Sequence, residues 1–465
     1  MHTRPCCPAF ALGLALSTLA GCQSYQPKPL DHAQHLDAFE SRSVEAEPLR
    51  DFIESLDQRD HPKPFDPSDG IDIHEGERIA LFYNPDLRLS RIRVGVEHAI
   101  AEHAGRWDDP KFDIEALRIT DSVPDRWIVS SSLSITLPIS GRLGAERQRA
   151  EASVRAALSR IAETEWATRA LLRRAWLEWS ATELQINRAE SLMGSISTLV
   201  DSTDRLARAG ELPSTQASLF AIERANLAQM IQRLSSTAIE QELQLRALMG
   251  FSPDAPLRLN PTLALPDALS IPETDTLVEN HPTLVRMRDE HAIAEKTLLR
   301  EIRKQYPDLT IGPIYESEEG VSRIGLLAGI PLPILNANTQ GIAQARAERE
   351  LTRATFETQL ERVMHELAAS IKHLEAARAQ RVRYESEIVP LIDRQLRDAQ
   401  RLLELGENDG IVLLESLTRA GQAYTELINA RLNEALAIDR LRTIIDTPRV
   451  STEITTNAPD MEVHP

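Results

Sequence analysis

The sequence predicts a mainly α-helical fold with a small β part, duplicated internally. Three observations carry that prediction: two very long stretches almost free of helix breakers, four punctuation points that recur at nearly one spacing, and four short strand-like runs. With 42% apolar but only 4% aromatic residues, the composition suits helices packed through Ala and Leu better than several compact cores.

The duplication sets the domain organisation. Asn84-Pro85-Asp86-Leu87 is echoed by His281-Pro282-Thr283-Leu284, and Pro110 by Pro307, both at an offset of 197. Pro138 matches Pro333 at 195, and Gly210-Glu211 matches Gly406-Glu407 at 196. One Pro or Gly match means little, but four in the same order mark a repeat. Residues 71–265 form the first copy and 266–447 the second. Each reads as a helix, two strands, a very long helix, a Gly turn and a medium helix.

Arg142 to Ala209 is rich in Ala, Leu, Glu, Arg and Gln, with only Gly144 and Gly194 as breakers. At about 1.5 Å per residue it spans roughly 100 Å. Thr339 to Leu405 repeats the length, with Pro390 as the expected kink. Helices this long call for a coiled-coil-like array. The medium helices start near Ser214 and Asp409 as N-caps, end near Met249 and Ile445, and fold back on their long neighbours as antiparallel hairpins. Leu158, Ile161, Ala175, Trp176 and Trp179 recur at helical spacing and read as packing.

The strands decide the membrane question. No stretch beyond the first residues offers the roughly twenty consecutive apolar residues of a spanning helix. Ser132 to Pro138 alternates strictly, with Leu133, Ile135 and Leu137 on one face and hydroxyls on the other. A barrel with lipid outside and water inside requires that pattern. Its partner, Phe112 to Thr120, alternates less cleanly because Arg118 intrudes. In the second copy Leu309 to Tyr315 and Ile324 to Ile330 take these parts, with Gly312, Gly325 and Gly329 as small inward or closely packed positions. A soluble half-buried sheet is the alternative. Four strands cannot close a barrel, and hydrocarbon tolerates no open edge. Three copies would supply about twelve strands.

The N-terminus has the shape of a secretory signal: Arg4, the apolar run Ala9 to Leu16, then Leu19-Ala20-Gly21-Cys22. Its end resembles a bacterial lipobox, which implies a signal over 1–21, lipidation at Cys22 and, with Gln23 and no Asp following, outer-membrane sorting. Cutting there removes Cys6 and Cys7, leaving a mature chain with neither a disulfide framework nor a thiolate metal cluster. Residues 22–70 read as a lipid-anchored linker with one helix over Asp37 to Leu56, and 448–465 as a disordered tail.

The Asn84-Pro85-Asp86-Leu87 opening, the strand ends Thr136-Leu137-Pro138-Ile139 and Pro331-Leu332-Pro333-Ile334, the Gly-Glu turns and the Ala-rich helix starts after Gly141 and Gly341 resemble the TolC-like outer-membrane efflux proteins. The resemblance covers roughly Ile71 to Thr447. It implies a homotrimer in which an outer-membrane β-barrel, four strands per chain, continues into a long α-helical barrel in the periplasm. It also implies docking to a periplasmic adaptor (membrane fusion) protein and an inner-membrane pump, of the resistance-nodulation-division type by the lipidation and the Pro-Leu-Pro strand end. Gly210 and Gly406 would lie at the periplasmic tips. Glu415 falls on the second acidic position of the family's aperture, whereas Val412 occupies the first, so a double acidic ring is not expected. Arg401 and Arg205 are candidates to tie neighbouring helices shut near the tips.

The charge of −18 argues against nucleic acid as a partner. Catalysis finds no support: there is no phosphate-binding Gly loop, and His98 and His103 lie five apart, a poor spacing for one helix face. No cofactor and no metal site are expected. The function so implied is a passive export duct for small molecules or metal ions, not an enzyme. The alternatives are a duct for type I protein secretion and a periplasmic coiled-coil scaffold without a channel.

Overall fold

The computed structural model describes residues 25–56, 64–120, 127–264, 269–318, 321–405 and 410–445. The signal, Cys22, Gly406, Asp409 and the tail after Ile445 lie outside the described residues. The chain divides into two units, Met1–Arg42 and Ser43–Pro465. The described part of the first holds helix α1 (His32–Glu40), capped by the Asp31 carboxylate, which accepts from the Gln34 N–H at 2.9 Å.

The second unit opens with α2 (Glu47–Ser55), so the single helix expected over Asp37 to Leu56 is two. Pro48 is the physical reason: it is tolerated in a first turn, whereas inside a continuous helix its ring would clash with the preceding turn. Leu49 and Ile53 of α2 are buried against Ile79, Leu172 and Trp176. Helix α2, which falls within the expected 22–70 linker, is therefore packed into the core of the second unit.

Helix α3 (Ile73–Tyr83) starts with a capping box formed by Asp72 and Glu75. Helix α4 (Pro85–His103) explains the Asn-Pro-Asp motif. Pro85 is pre-set for a first helical turn, and the Asn84 side chain accepts from the N–H groups of Asp86 (3.0 Å) and Leu87 (3.2 Å). The Asn84 amide also donates to the Leu248 carbonyl at 2.8 Å, tying this turn to the far end of the first repeat.

Strands β1 (Lys111–Arg118) and β2 (Trp127–Leu137) lead into α5 (Arg142–Ala209), 68 residues without a break. Its hairpin partner α6 (Ser214–Met249) begins one residue earlier than expected, because Pro213 is the N-cap and Ser214 already helical. The second repeat follows with α7 (Thr274–Asn280), α8 (Pro282–Arg303), β3 (Leu309–Glu318), β4 (Val321–Gly329) and α9 (Thr339–Arg383). The disturbance expected at Pro390 is a π-turn over Tyr384–Ile388, followed by α10 (Val389–Glu404). Pro390 has no N–H for the carbonyl four residues back, and the backbone widens there until the Val389 N–H reaches the Tyr384 carbonyl. Helix α11 (Gly410–Ile445) closes the described chain.

The four strands form one antiparallel sheet in the order β1-β2-β3-β4, so the two repeats meet at β2 and β3. That ladder is interrupted where Pro313 offers no N–H, and a Cβ added at Gly312 would collide with the Leu133 carbonyl. Gly312→Val is expected to destabilise the sheet, and thermal unfolding should show a lower midpoint than for Gly329→Val, where a Cβ meets open space.

Candidate channel wall and aperture

The strand register divides the sheet into two faces of opposite character. Paired residues share a face, so Phe112, Ile114 and Ala116 of β1 stand beside Leu133, Ser131 and Val129 of β2. Ile135 and Leu137 continue that face to Ile311 and Leu309 of β3, and Tyr315, Pro313 and Ile311 continue it to Ile324, Leu326 and Ala328 of β4. The other face carries Lys111, Asp113 and Glu115, then Ser130, Ser132, Ser134 and Thr136, then Thr310, Gly312, Glu316 and Glu318, and on β4 Arg323 and Gly325, with Ile314 and Leu327 as apolar exceptions inside β3 and β4 and Ile128 and Val321 near strand ends. Gly312, Gly325 and Gly329 thus all fall on the polar side, as expected. Arg118 stands on the apolar side, but at the strand end opposite Trp127. The apolar side is open: Ile324 is 85% and Leu326 75% exposed, and Phe112 and Ile114 are exposed too.

The sheet is pinned to the helices by charge. At the start of α5, Arg142 donates to Asp308 just before β3 and to Asp108 just before β1, both at 2.7 Å. Sequence reasoning missed this clamp, since its partners lie 34 and 166 residues away.

At the other end of α5, Gly210 adopts the left-handed conformation (φ 78°, ψ 9°), and Gly210 and Glu211 donate back to Ala207 and Leu206. The turn is held by a core shared by four helices: Ile196 and Val200 of α5, Phe220 and Leu227 of α6, Ala399 of α10, and Leu413 and Leu417 of α11. Arg205 donates to the Asp201 carbonyl and the Ser202 hydroxyl, both on its own helix. Arg401 is exposed on α10. Glu415 is exposed on α11 and pairs with Arg419 one turn on at 2.7 Å, with Val412 exposed one turn before it.

A third cluster lies in the middle of α5. Arg173 donates to Glu77 of α3 at 2.7 Å and to Asp439 of α11, all three nearly fully buried, and to the half-buried Thr443 of α11 at 3.0 Å. Burial alone would raise the Glu77 pKa, but the His74 hydrogen bond and the charges of Arg173 and Arg169 hold it down to about 2. Burial pushes Asp439 the other way, with Arg173 opposing. Beside this cluster Trp176 and Trp179 pack edge to face, centroids 5.9 Å apart, and Trp176 donates to the Asn260 carbonyl. Ile161, Ala175, Trp176 and Trp179 are buried, in line with the packing role expected of them, and Leu158 is half-buried. Nearer the tips, Arg188 of α5 lies 3.6 Å over the Tyr424 ring of α11, whose hydroxyl bonds both carboxylate oxygens of Asp393 on α10 at 3.0 Å.

Among the described residues no group of three or more His, Cys, Asp or Glu could hold a metal ion, and no helix is long and apolar enough to cross a membrane. The arrangement offers surfaces, not reacting groups: a two-faced sheet, long helices and a turn at their far end.

No family model matches the sequence, and no curated protein matches it. Solved structures do match in shape. The outer-membrane channel OprN superposes with a TM-score of 0.70 at 16% identity, covering 81% of this chain and 90% of that one. The Campylobacter jejuni CmeC outer membrane channel gives 0.71 at 13% identity over 83% and 88%. The open state of the Neisseria gonorrhoeae MtrE outer membrane channel gives 0.64 at 13% identity over 80% and 88%. What unites this chain with them is architecture, and it has the fold of the TolC-like outer-membrane channels.

Proposed function

We propose that this chain is one subunit of a passive outer-membrane export duct, assembled as a homotrimer and anchored to outer-membrane lipid through Cys22. The observation that carries the reading is the sheet with one apolar and one polar face and an unpaired strand at each edge, β1 and β4. Such a sheet is satisfied in hydrocarbon only when copies pair edge to edge into a closed ring with the polar face inward. The helices then continue the wall into the periplasm, with Gly210 and Gly406 at tips that meet a periplasmic adaptor protein. An inner-membrane pump, of the resistance-nodulation-division type, drives small molecules or metal ions through; the duct has no coupling or catalytic residues of its own. Glu415 forms a ring of like charge at the aperture, and Arg205 and Arg401 brace its helices.

Full-length protein purified from outer membranes should open stable single channels in planar bilayers and run as a heat-resistant oligomer. A water-soluble monomer without conductance would rule the reading out. Glu415→Ala removes three carboxylates from the aperture, so conductance should rise and cation preference weaken. Identical conductance and selectivity would remove Glu415 from the gate.

A further inference from the structure

The four helices nearest the sheet pack in the order α4, α5, α8, α9, which leaves α4 and α9 as the edges of the layer. Helices α4 and α8 are repeat equivalents at the offset of 197 between Asn84 and His281. One face does the same job in both. Ser90 of α4 meets Thr164 of α5 at 3.4 Å, and His291 of α8 meets Thr352 of α9 at 2.9 Å. The other face differs. On α8 it is covered by α5, where Arg286 binds Glu163, Asp289 accepts from the Ser159 hydroxyl, and Arg300 reaches Glu146 at 3.0 Å. The positions of α4 equivalent to 286, 289, 293 and 297 are Leu89, Ile92, Val96 and Ile100, each between 47% and 57% exposed. No described helix of this chain covers them.

The opposite edge is complementary. Helix α9 turns Ala345 and Thr352 toward its own chain and leaves Ala347, Leu351, Ala354 and Thr358 exposed at helical spacing. This is a row of mainly small side chains into which larger ones fit. Neither row carries a charge.

We infer that α9 of a second copy seats on α4, packing Ala347, Leu351, Ala354 and Thr358 antiparallel against Ile100, Val96, Ile92 and Leu89. The seat copies the way α5 covers α8 within one chain. The seam inside the chain is fixed by ion pairs, and the seam between copies is apolar. The inference rests on the trimeric duct reading and adds which helix faces meet, in what direction and by what chemistry.

Cysteine pairs in the full-length protein test it. Val96→Cys with Leu351→Cys, oxidised mildly in membranes and run without reductant, should move most of the chain to covalent dimers and trimers, while each single variant stays at monomer mass. Ser159→Cys with Asp289→Cys should bridge within the chain and remain at monomer mass. Native mass is measured on the same samples. A trimer that bridges neither at Val96 and Leu351 nor at Ile92→Cys with Ala354→Cys overturns the seam and leaves the duct reading standing. A monomeric parent protein overturns both.

Discussion

Replacing Arg173 with Met is expected to cost about 3–5 kcal/mol of stability, because it strands the Glu77 and Asp439 carboxylates in the interior without their shared cation. Arg173 bridges α3 and α11 through α5, joining segments 96 and 266 residues away from it. Removing a single member of such a cluster is worse than neutralising all of it, since the penalty lies in the buried charge left behind. The triple change Glu77→Gln, Arg173→Met, Asp439→Asn should therefore recover much of the loss. Denaturant midpoints of the solubilised protein decide the matter. A single variant within about 1 kcal/mol of the parent would show that water or nearby arginines already balance the two acids.

The same cluster gives a pH dependence with a defined sign. Glu77 ionises at 4.5 in the unfolded chain and at about 2 in the fold. The stability it contributes is complete above 4.5 and is lost as the pH falls toward 2, about 3 kcal/mol in all. Asp439 runs in the opposite sense: its pKa is raised by burial, so its contribution is lost as the pH rises through the raised value. Acid titration of Glu77→Gln should show a shallower fall between pH 4.5 and 2 than the parent.

The features legible in the sequence are those whose causes are local. Arg142 to Ala209 declares itself by a run of good helix formers, and the repeat by Pro and Gly at turns that only they suit. The hydroxyl-bearing half of β2 is legible because both of its faces obey period two. Strand β1 is less so, because Leu117 stands among the polar side chains and Arg118 among the apolar ones, and only the partner register shows that both sit at a strand end. The charge pins were invisible for another reason. Nothing near Arg173 marks it as buried, and Asp439 meets it only once both repeats have folded together. The stripe Leu89, Ile92, Val96, Ile100 has helical spacing, but its meaning depends on a partner outside the chain. Of the candidate aperture residues, Gly210 makes the turn its sequence marked, and within one chain Arg205 bonds its own helix and Glu415 pairs with Arg419.

Leu326→Arg and Ser132→Arg, read beside the partition of the parent between membrane and aqueous fractions, test the membrane reading on the sheet's two faces. If the apolar face meets lipid, an Arg near the middle of β4 costs about 2–4 kcal/mol in every copy of the ring. Little protein should then be recovered as heat-resistant oligomer from outer membranes. Ser132→Arg places the same side chain at the middle of β2 but on the polar face, where water and the facing Asp113 receive it, and recovery should stay near that of the parent. A soluble half-buried sheet ranks the two variants the same way, because an Arg at 326 would then be buried against protein; the readings part at the parent, which a soluble sheet would leave in the aqueous fraction and a lipid-facing one in outer membranes as the heat-resistant oligomer. With Ile324 and Leu326 this exposed in the isolated chain, and no described helix of the chain packed over them, lipid is the cover that the proposed duct gives them.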